Sequence, residues 1–269
     1  MRGTSAAAHA AARDRLEALA PGADLDALGG QLFAVAGLLD ATPVLRRALA
    51  DPGRTAADKA ALVRGLLAGR VDEAVVEILV TASAGRWSQV RDLGDAVEQL
   101  AVHAEALAAD QAGQLDELED ELFRFGRLLA REPALRGVLA DRAVPAERRR
   151  QLLDDLVAGK VTPPGHRLLA RAVTAPRGRG LEQALEVAAA VVAARRTRWT
   201  AVVSSAVPLT EQQRERLATA LARVYRHEVH LQTEVVPGLL GGFRVRLGDE
   251  VLDASVSARL DAARRRLAG

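Results

Sequence analysis

Residues 25–51, LDALGGQLFAVAGLLDATPVLRRALAD, return 90 positions later as LDELEDELFRFGRLLAREPALRGVLAD at 115–141. Leu32-Phe33 falls on Leu122-Phe123, Leu38-Leu39 on Leu128-Leu129, Pro43 on Pro133 and Leu49-Ala50-Asp51 on Leu139-Ala140-Asp141. Further on, LLAGRV at 66–71 meets LVAGKV at 156–161. A proline, a glycine and a leucine ladder kept in one register mark a duplicated unit.

The unit is helical. Leu115, Leu118, Leu122, Phe125 and Leu129 recur at three- and four-residue steps, one apolar stripe on a helix. Pro43 and Pro133 stand where a helix starts, because the first turn has no partner for the missing N–H. Gly69 and Gly159 stop the helices begun near Thr55 and Pro145. Long helices over 89–110 and 181–199 end the copies, and the stretch 95–110 both closes copy one and opens copy two.

After Trp199 the period changes from 3.6 to two. AVVSSAV at 201–207 reads as a strand, Thr210 with Gln213 forms a capping box for a helix carrying Leu217, Leu221 and Val224, and EVHLQTEVV at 228–236 is a second strand. In GLLGGFRVRLGDEVLDASV, 238–256, the glycines open a strand in which Phe243, Val245 and Leu247 alternate with Arg244 and Arg246. Gly248-Asp249 turns the chain into a short return segment at Val251-Leu252, and a last helix carries Val256, Leu260 and Leu267. Phosphate-cradling glycine spacings are absent from this run. The fold expected is mainly α: two tandem helical bundles, 1–110 and 111–199, followed by a small α/β domain, 200–269.

Composition narrows the function classes. Aromatic residues make up only 3% of the 269, so the cores are built from Leu, Val and Ala, which favours helices at close approach. Lys59 and Lys160 are the only lysines, and arginines are nearly balanced by acids at a net charge of +2, a mixed surface and not a polycation. Without cysteine there is no disulfide framework, thiolate metal site or cysteine nucleophile. No apolar run approaches the roughly 20 residues that span a bilayer, and His9, Arg13 and Asp14 break the N-terminus as a leader.

Candidate chemistry dissolves on inspection. His227 and His230 are three apart on a predicted strand, which sends them to opposite faces and spoils a metal pair. His9, His103 and His166 are scattered and read as exposed helix surface. Ser204 and Ser205 lack a glycine elbow, and Glu119-Asp120-Glu121 reads as a solvated helix face. No catalytic, cofactor or metal site is expected, and the arginine runs leave nucleic-acid binding as a weaker alternative. One helix stands apart: VDEAVVEILVTASA, 71–84, is apolar over more than half its circumference. It is either the central helix of its bundle or offers a second face to a partner helix.

The C-terminal residues carry a resemblance. VVSSAVPLTEQQRERLATAL followed by VVPGLLGGFRVRLGDEVLDASVSARL is similar to the delta subunit family of bacterial F-type ATP synthases, whose mitochondrial counterpart is the oligomycin-sensitivity-conferring protein. The family's pattern falls on Ser205-Ala206-Val207-Pro208-Leu209, Gly241-Gly242 and Asp253-Ala254-Ser255-Val256, with Ala254 where glycine is usual. Leu49 to Pro52, Lys59 and Gly85-Arg86 match its N-terminal features. In the second copy Arg142 replaces the proline and Arg149 the lysine, so copy one keeps the family's residues better and the chain reads as a long, duplicated variant.

The resemblance implies a non-catalytic stator: the helical part binds N-terminal segments of the alpha subunits, and the C-terminal domain holds the b-type subunits of the peripheral stalk. The place would be the cytoplasmic face of the bacterial cell membrane, reached only through partners. The docking groove implied in copy one has walls of Ala8, Ala12 and Leu16 on the first helix and Val75, Val76 and Leu79 on the helix at 71–84. The alternative is a helical nucleic-acid-binding or adaptor protein.

Overall fold

A computed structural model describes residues 3–177, 179–198, 200–225, 229–236, 238–239, 241–247 and 250–253. These form two compact units, one up to Ala193 and the other from Ala194. The first unit holds helices α1 (Thr4–Leu19), α2 (Leu25–Ala41), α3 (Pro43–Ala50), α4 (Ala56–Leu67), α5 (Glu73–Ala84) and α6 (Val90–Gln111). The series then repeats as α7 (Leu115–Arg131), α8 (Pro133–Ala140), α9 (Ala146–Val157) and α10 (Pro163–Thr174). It closes with α11 (Leu181–Arg198), inside which the division falls.

Every bound of α2 to α5 reappears 90 residues on in α7 to α10. Local chemistry repeats with it. Thr42 and Glu132 precede Pro43 and Pro133 at the first helical position, while Gly69 and Gly159 take left-handed φ of 72° and 66°. The buried Lys59 donates to the Ser83 carbonyl at the end of α5; its counterpart Arg149 donates to the Val173 carbonyl at the end of α10. Both place a cation on a helix C-terminus, where unpaired carbonyls and the helix dipole favour it. Gln31 accepts from the Asp72 N–H ahead of α5 at 2.8 Å, and Glu121 accepts from the Thr162 N–H ahead of α10 at 2.7 Å. Glu121 is therefore a buried cap and not part of the solvated acidic face that its neighbours suggest.

Helix α6 serves both copies. Its N-terminal part ends copy one, and its C-terminal part takes the place in copy two that α1 has in copy one, as the offset requires. Leu93, Ala96, Ala101, Val102, Ala106 and Ala109 are buried on faces all round the helix. One continuous apolar core runs from Ala12 through Leu32, Leu79, Leu100 and Leu122 to Val192. The expected bundles 1–110 and 111–199 are thus packed into a single compact unit, because each lays its stripe on the shared helix. Helix α5 is the central helix of copy one, packed on α1 and α4 with further contacts to α2, α3 and α6.

Where α2 of copy one meets α10 of copy two, the seam is ionic and aromatic. Asp26, Phe33 and Asp40 stand seven residues apart, which is about two turns and therefore one face. Asp26 takes Arg167 at 2.7 Å, Arg171 lies 5.2 Å over the Phe33 ring, and Asp40 takes two bonds from Arg177. On α6, Glu105 pairs with Arg167, and Glu98 with Arg171, Arg177 and Arg179. Arg177 also donates to the Gly94 carbonyl at 2.7 Å and sits at φ 51°, a left-handed backbone that a bulky residue holds only under constraint.

The second unit contains a four-stranded sheet in the order β2-β1-β3-β4, made of β1 (Thr200–Ser205), β2 (His230–Val235), β3 (Phe243–Leu247) and β4 (Glu250–Asp253). Strands β1 and β2 are parallel, joined through α12 (Glu211–Tyr225), and β3 runs antiparallel to both β1 and β4. The capping box forms as the sequence predicts: Thr210 N–H donates to Gln213 and Gln213 N–H to Thr210 Oγ1. Gly241 and Gly242, at φ 106° and 78°, lead into β3, whose Val245 and Leu247 are buried while Arg244 and Arg246 are exposed. The expected turn at Gly248-Asp249 and the last helix with Val256, Leu260 and Leu267 lie outside the described residues.

Candidate functional site

The six residues expected to line a groove are placed together, but as core. Ala8, Ala12 and Leu16 of α1 and Val75, Val76 and Leu79 of α5 are each at most 6% exposed, and the two helices pack on one another. The small residues let the two helices touch: a Cβ on Gly85, at the end of α5, would lie 2.5 Å from the Ala8 Cβ. What reads as a groove for a guest is closed by its own walls. The pattern is the same in both cases, since small residues at helical spacing admit any close helix, a neighbour in the chain included.

Polar contacts seal the ends of this contact. Buried Ser5 Oγ donates to Asp92 at 2.7 Å and accepts from the Ser88 N–H at 2.8 Å. At the other end His103 Nε2 stands 2.9 Å from Glu17 Oε1, and only 7% of His103 is exposed, so it is not the surface residue expected. His9 lies between the two; burial first, then Arg13 and His103, push its imidazole down to about 4, so it is neutral at physiological pH. His166 bonds Asp154.

Above the sealed contact runs a half-exposed ridge. Arg15 of α1 and Arg64 of α4 converge on Glu77 of α5 at 3.2 and 2.9 Å, with Thr81 a turn further on. The hydrogen bond from Arg64, opposed by burial and joined by Arg15, holds the Glu77 carboxyl below the usual carboxylate range. The counterparts in copy two are Glu105, Arg167 and Arg171, and there the ridge is not open. Helix α2 lies over it, with Asp26 on Arg167 and Phe33 under Arg171. Copy two thus shows a helix seated on the ridge that copy one leaves half-exposed.

Ser204 Oγ donates to Glu234 and Ser205 Oγ to the Val207 carbonyl. Among the described residues no group of three or more His, Asp and Glu side chains could hold a metal ion. His227 lies outside the described residues. Also among them, no single helix is long and apolar enough to cross a membrane. The second unit offers an apolar groove of roughly 320 Å³ between α12 and the start of β3, lined by Leu209, Leu217, Ala220 and Phe243.

Residues 102–267 match the family model described as ATP synthase delta (OSCP) subunit. The chain belongs to this family. The protein named ATP synthase subunit delta from Kineococcus radiotolerans is 48% identical over 269 residues, covering 99% of this chain and 98% of that protein. Proteins of the same name from Streptomyces avermitilis and Streptomyces griseus are 46% and 44% identical, covering 99% and 100% of this chain. Because these alignments run nearly the whole length of both proteins, the long form is shared with these three relatives. A chain in a cryo-EM structure of the Toxoplasma gondii mitochondrial ATP synthase hexamer aligns over 62% of this chain and 97% of that chain at 20% identity. Its TM-score of 0.32 is too low to bear on the fold.

The delta-family match begins inside α6 and takes in copy two and the second unit, leaving most of copy one outside. This reverses the expectation that copy one keeps the family's residues better. That expectation weighed Lys59 against Arg149, yet the two make the same bond to the same helix end, so the exchange carries no structural departure.

Proposed function

We propose that this delta-family chain is a non-catalytic stator subunit that ties the catalytic head of an F-type ATP synthase to its peripheral stalk, so that proton flow is coupled to ATP synthesis. The observation that carries this is the full-length similarity to delta subunits. In this reading the helical unit binds N-terminal segments of the alpha subunits and the second unit holds the membrane-anchored b-type subunits. The protein then reaches the cytoplasmic face of the membrane through its partners.

The docking place of an alpha segment is the ridge of Arg15, Glu77 and Thr81, not the six residues beneath it. The support is internal. Helix α2 occupies the equivalent ridge of copy two, presenting one face with residues seven apart, as a guest helix would. The groove at Leu217 and Phe243 gives the second unit an apolar surface for a stalk helix.

Titration of an alpha-subunit N-terminal peptide against the intact chain tests this. Thr81→Glu, which adds bulk and a second negative charge beside Glu77 where the seated helix of copy two meets an arginine, is expected to weaken binding by about tenfold or more, roughly 1.4 kcal/mol. Unchanged affinity removes the ridge from the account, and no binding of peptide or stalk subunits to the unaltered chain removes the stator reading.

A further inference from the structure

Glu105 is a buried carboxyl of the seam to which the stator reading assigns no role. It lies on α6 where α2 and α10 flank it, with none of its surface exposed. Its Oε2 accepts from Arg167 at 2.8 Å, while Oε1 is buried with no hydrogen-bond partner. That oxygen fits only because residue 29 is glycine: a Cβ there would collide with Glu105 Oε1. The carboxyl is therefore pressed against the backbone of α2 at the rung where Asp26 and Arg167 join the copies. We propose that the seam between the two helical copies is a proton-responsive clasp, with Glu105 as its titrating group and α10, sitting against α2, as the element it holds.

The charged groups that face Glu105 are Arg167 from α10 and Asp26 from α2; His103, on its own helix, is turned to Glu17 of α1. Burial raises the Glu105 carboxyl to about 7, against the lowering effect of Arg167, and Asp26 adds to the rise. Arg167 does not lose its anchor when Glu105 takes a proton, because it keeps Asp26 at 2.7 Å. The closed seam thus binds a proton that an opened, hydrated seam releases. The sign follows from linkage: a carboxyl whose pKa is raised on closure favours the closed state as pH falls from about 7 toward the ordinary carboxylate value of 4.5, and disfavours it as pH rises through that window.

Glu105→Gln keeps the shape and removes the titration. Thermal unfolding of the full chain and of this variant, followed from pH 8 to pH 5, separates Glu105 from the histidines, which titrate alike in both. The unaltered chain is expected to gain several degrees in Tm relative to Glu105→Gln as pH falls, the two differing most at pH 8, where the variant is the more stable. Amide exchange, corrected for the intrinsic pH dependence, should show α10 gaining protection between pH 8 and pH 6 in the unaltered chain and not in the variant, with α4 indifferent in both. Gly29→Ala, which forces the carboxyl out of its niche, should likewise abolish the pH response. Parallel Tm profiles for the chain and Glu105→Gln, or a pH-dependent gain in α10 protection that persists in the variant, would overturn the clasp.

Discussion

Copy one and copy two contain the same ion pair with its charges exchanged. Arg15 meets Glu77 between α1 and α5; 90 residues on, Glu105 meets Arg167 between α6 and α10. The geometry is conserved through the duplication, yet the two carboxyls behave in opposite ways. Glu77 stands at a half-open ridge, served by two arginines, and is held below the ordinary range by Arg64 first and Arg15 after it. Glu105 has one arginine and a roof of α2, and burial drives it up. The difference lies in what covers the pair, and coverage follows from order along the chain: copy one supplies a helix that lies on copy two, while no helix among the described residues lies on copy one's own ridge.

The most severe way to break this comparison is to reverse one charge. Arg167→Glu sets a second acid against the fully buried Glu105 and is expected to destabilise the helical unit by about 3 kcal/mol or more. Adding Glu105→Gln removes the opposed buried charge without adding bulk beneath α2 and should recover a large part of that loss in urea unfolding. No recovery in the double variant would show that the buried Glu105 carboxyl is not what Arg167 answers.

Next comes the aromatic pair. Phe33 is 8% exposed beneath Arg171, whereas Phe123, its repeat partner, is 61% exposed with only Arg127 of its own helix 5.7 Å above the ring. Phe33→Ala should cost about 3 kcal/mol and Phe123→Ala within about 0.5 kcal/mol. Equal costs would mean that α2 does not roof copy two as described.

Much of this architecture was legible because duplication doubles every signal. Proline, glycine and leucine positions at a fixed offset located α2 to α4 and α7 to α9, the broad apolar stretch at 71–84 located α5, and the same offset showed that one helix serves both copies, while α10 was not placed. The change of period after Trp199 located the α/β unit. The seam was not legible, since its partners lie as far apart as Asp26 and Arg167 and a lone acid on a helix reads as solvated. The burial of the six expected docking residues was not legible for a related reason: Ala8, Ala12 and Leu16 specify close approach of a helix without specifying whose. A signal was present in the exchange of Arg15 and Glu77 for Glu105 and Arg167, two changes at one offset that make sense only as a touching pair.

A smaller effect sharpens the contrast between the two carboxyls. Glu77→Gln removes a partly exposed pair and should cost under about 1 kcal/mol at neutral pH. Because the Glu77 carboxyl is held below its unfolded value, its contribution is present above the ordinary carboxylate range and fades as pH falls through the lowered value. The loss caused by Glu77→Gln should therefore shrink toward acid pH, opposite in sense to the effect of Glu105→Gln.

The central claim, that this chain joins head to stalk through two different units, is tested most directly by bridging. Immobilised stalk subunits, the catalytic head in solution and either the full chain or a chain lacking residues 201–269 are combined, and head retained on the stalk is measured. The full chain should retain the head, while the truncated chain should still bind the head in solution, leave it off the stalk and fail to couple ATP hydrolysis to proton pumping. Equal retention and normal pumping with the truncated chain would contradict the account.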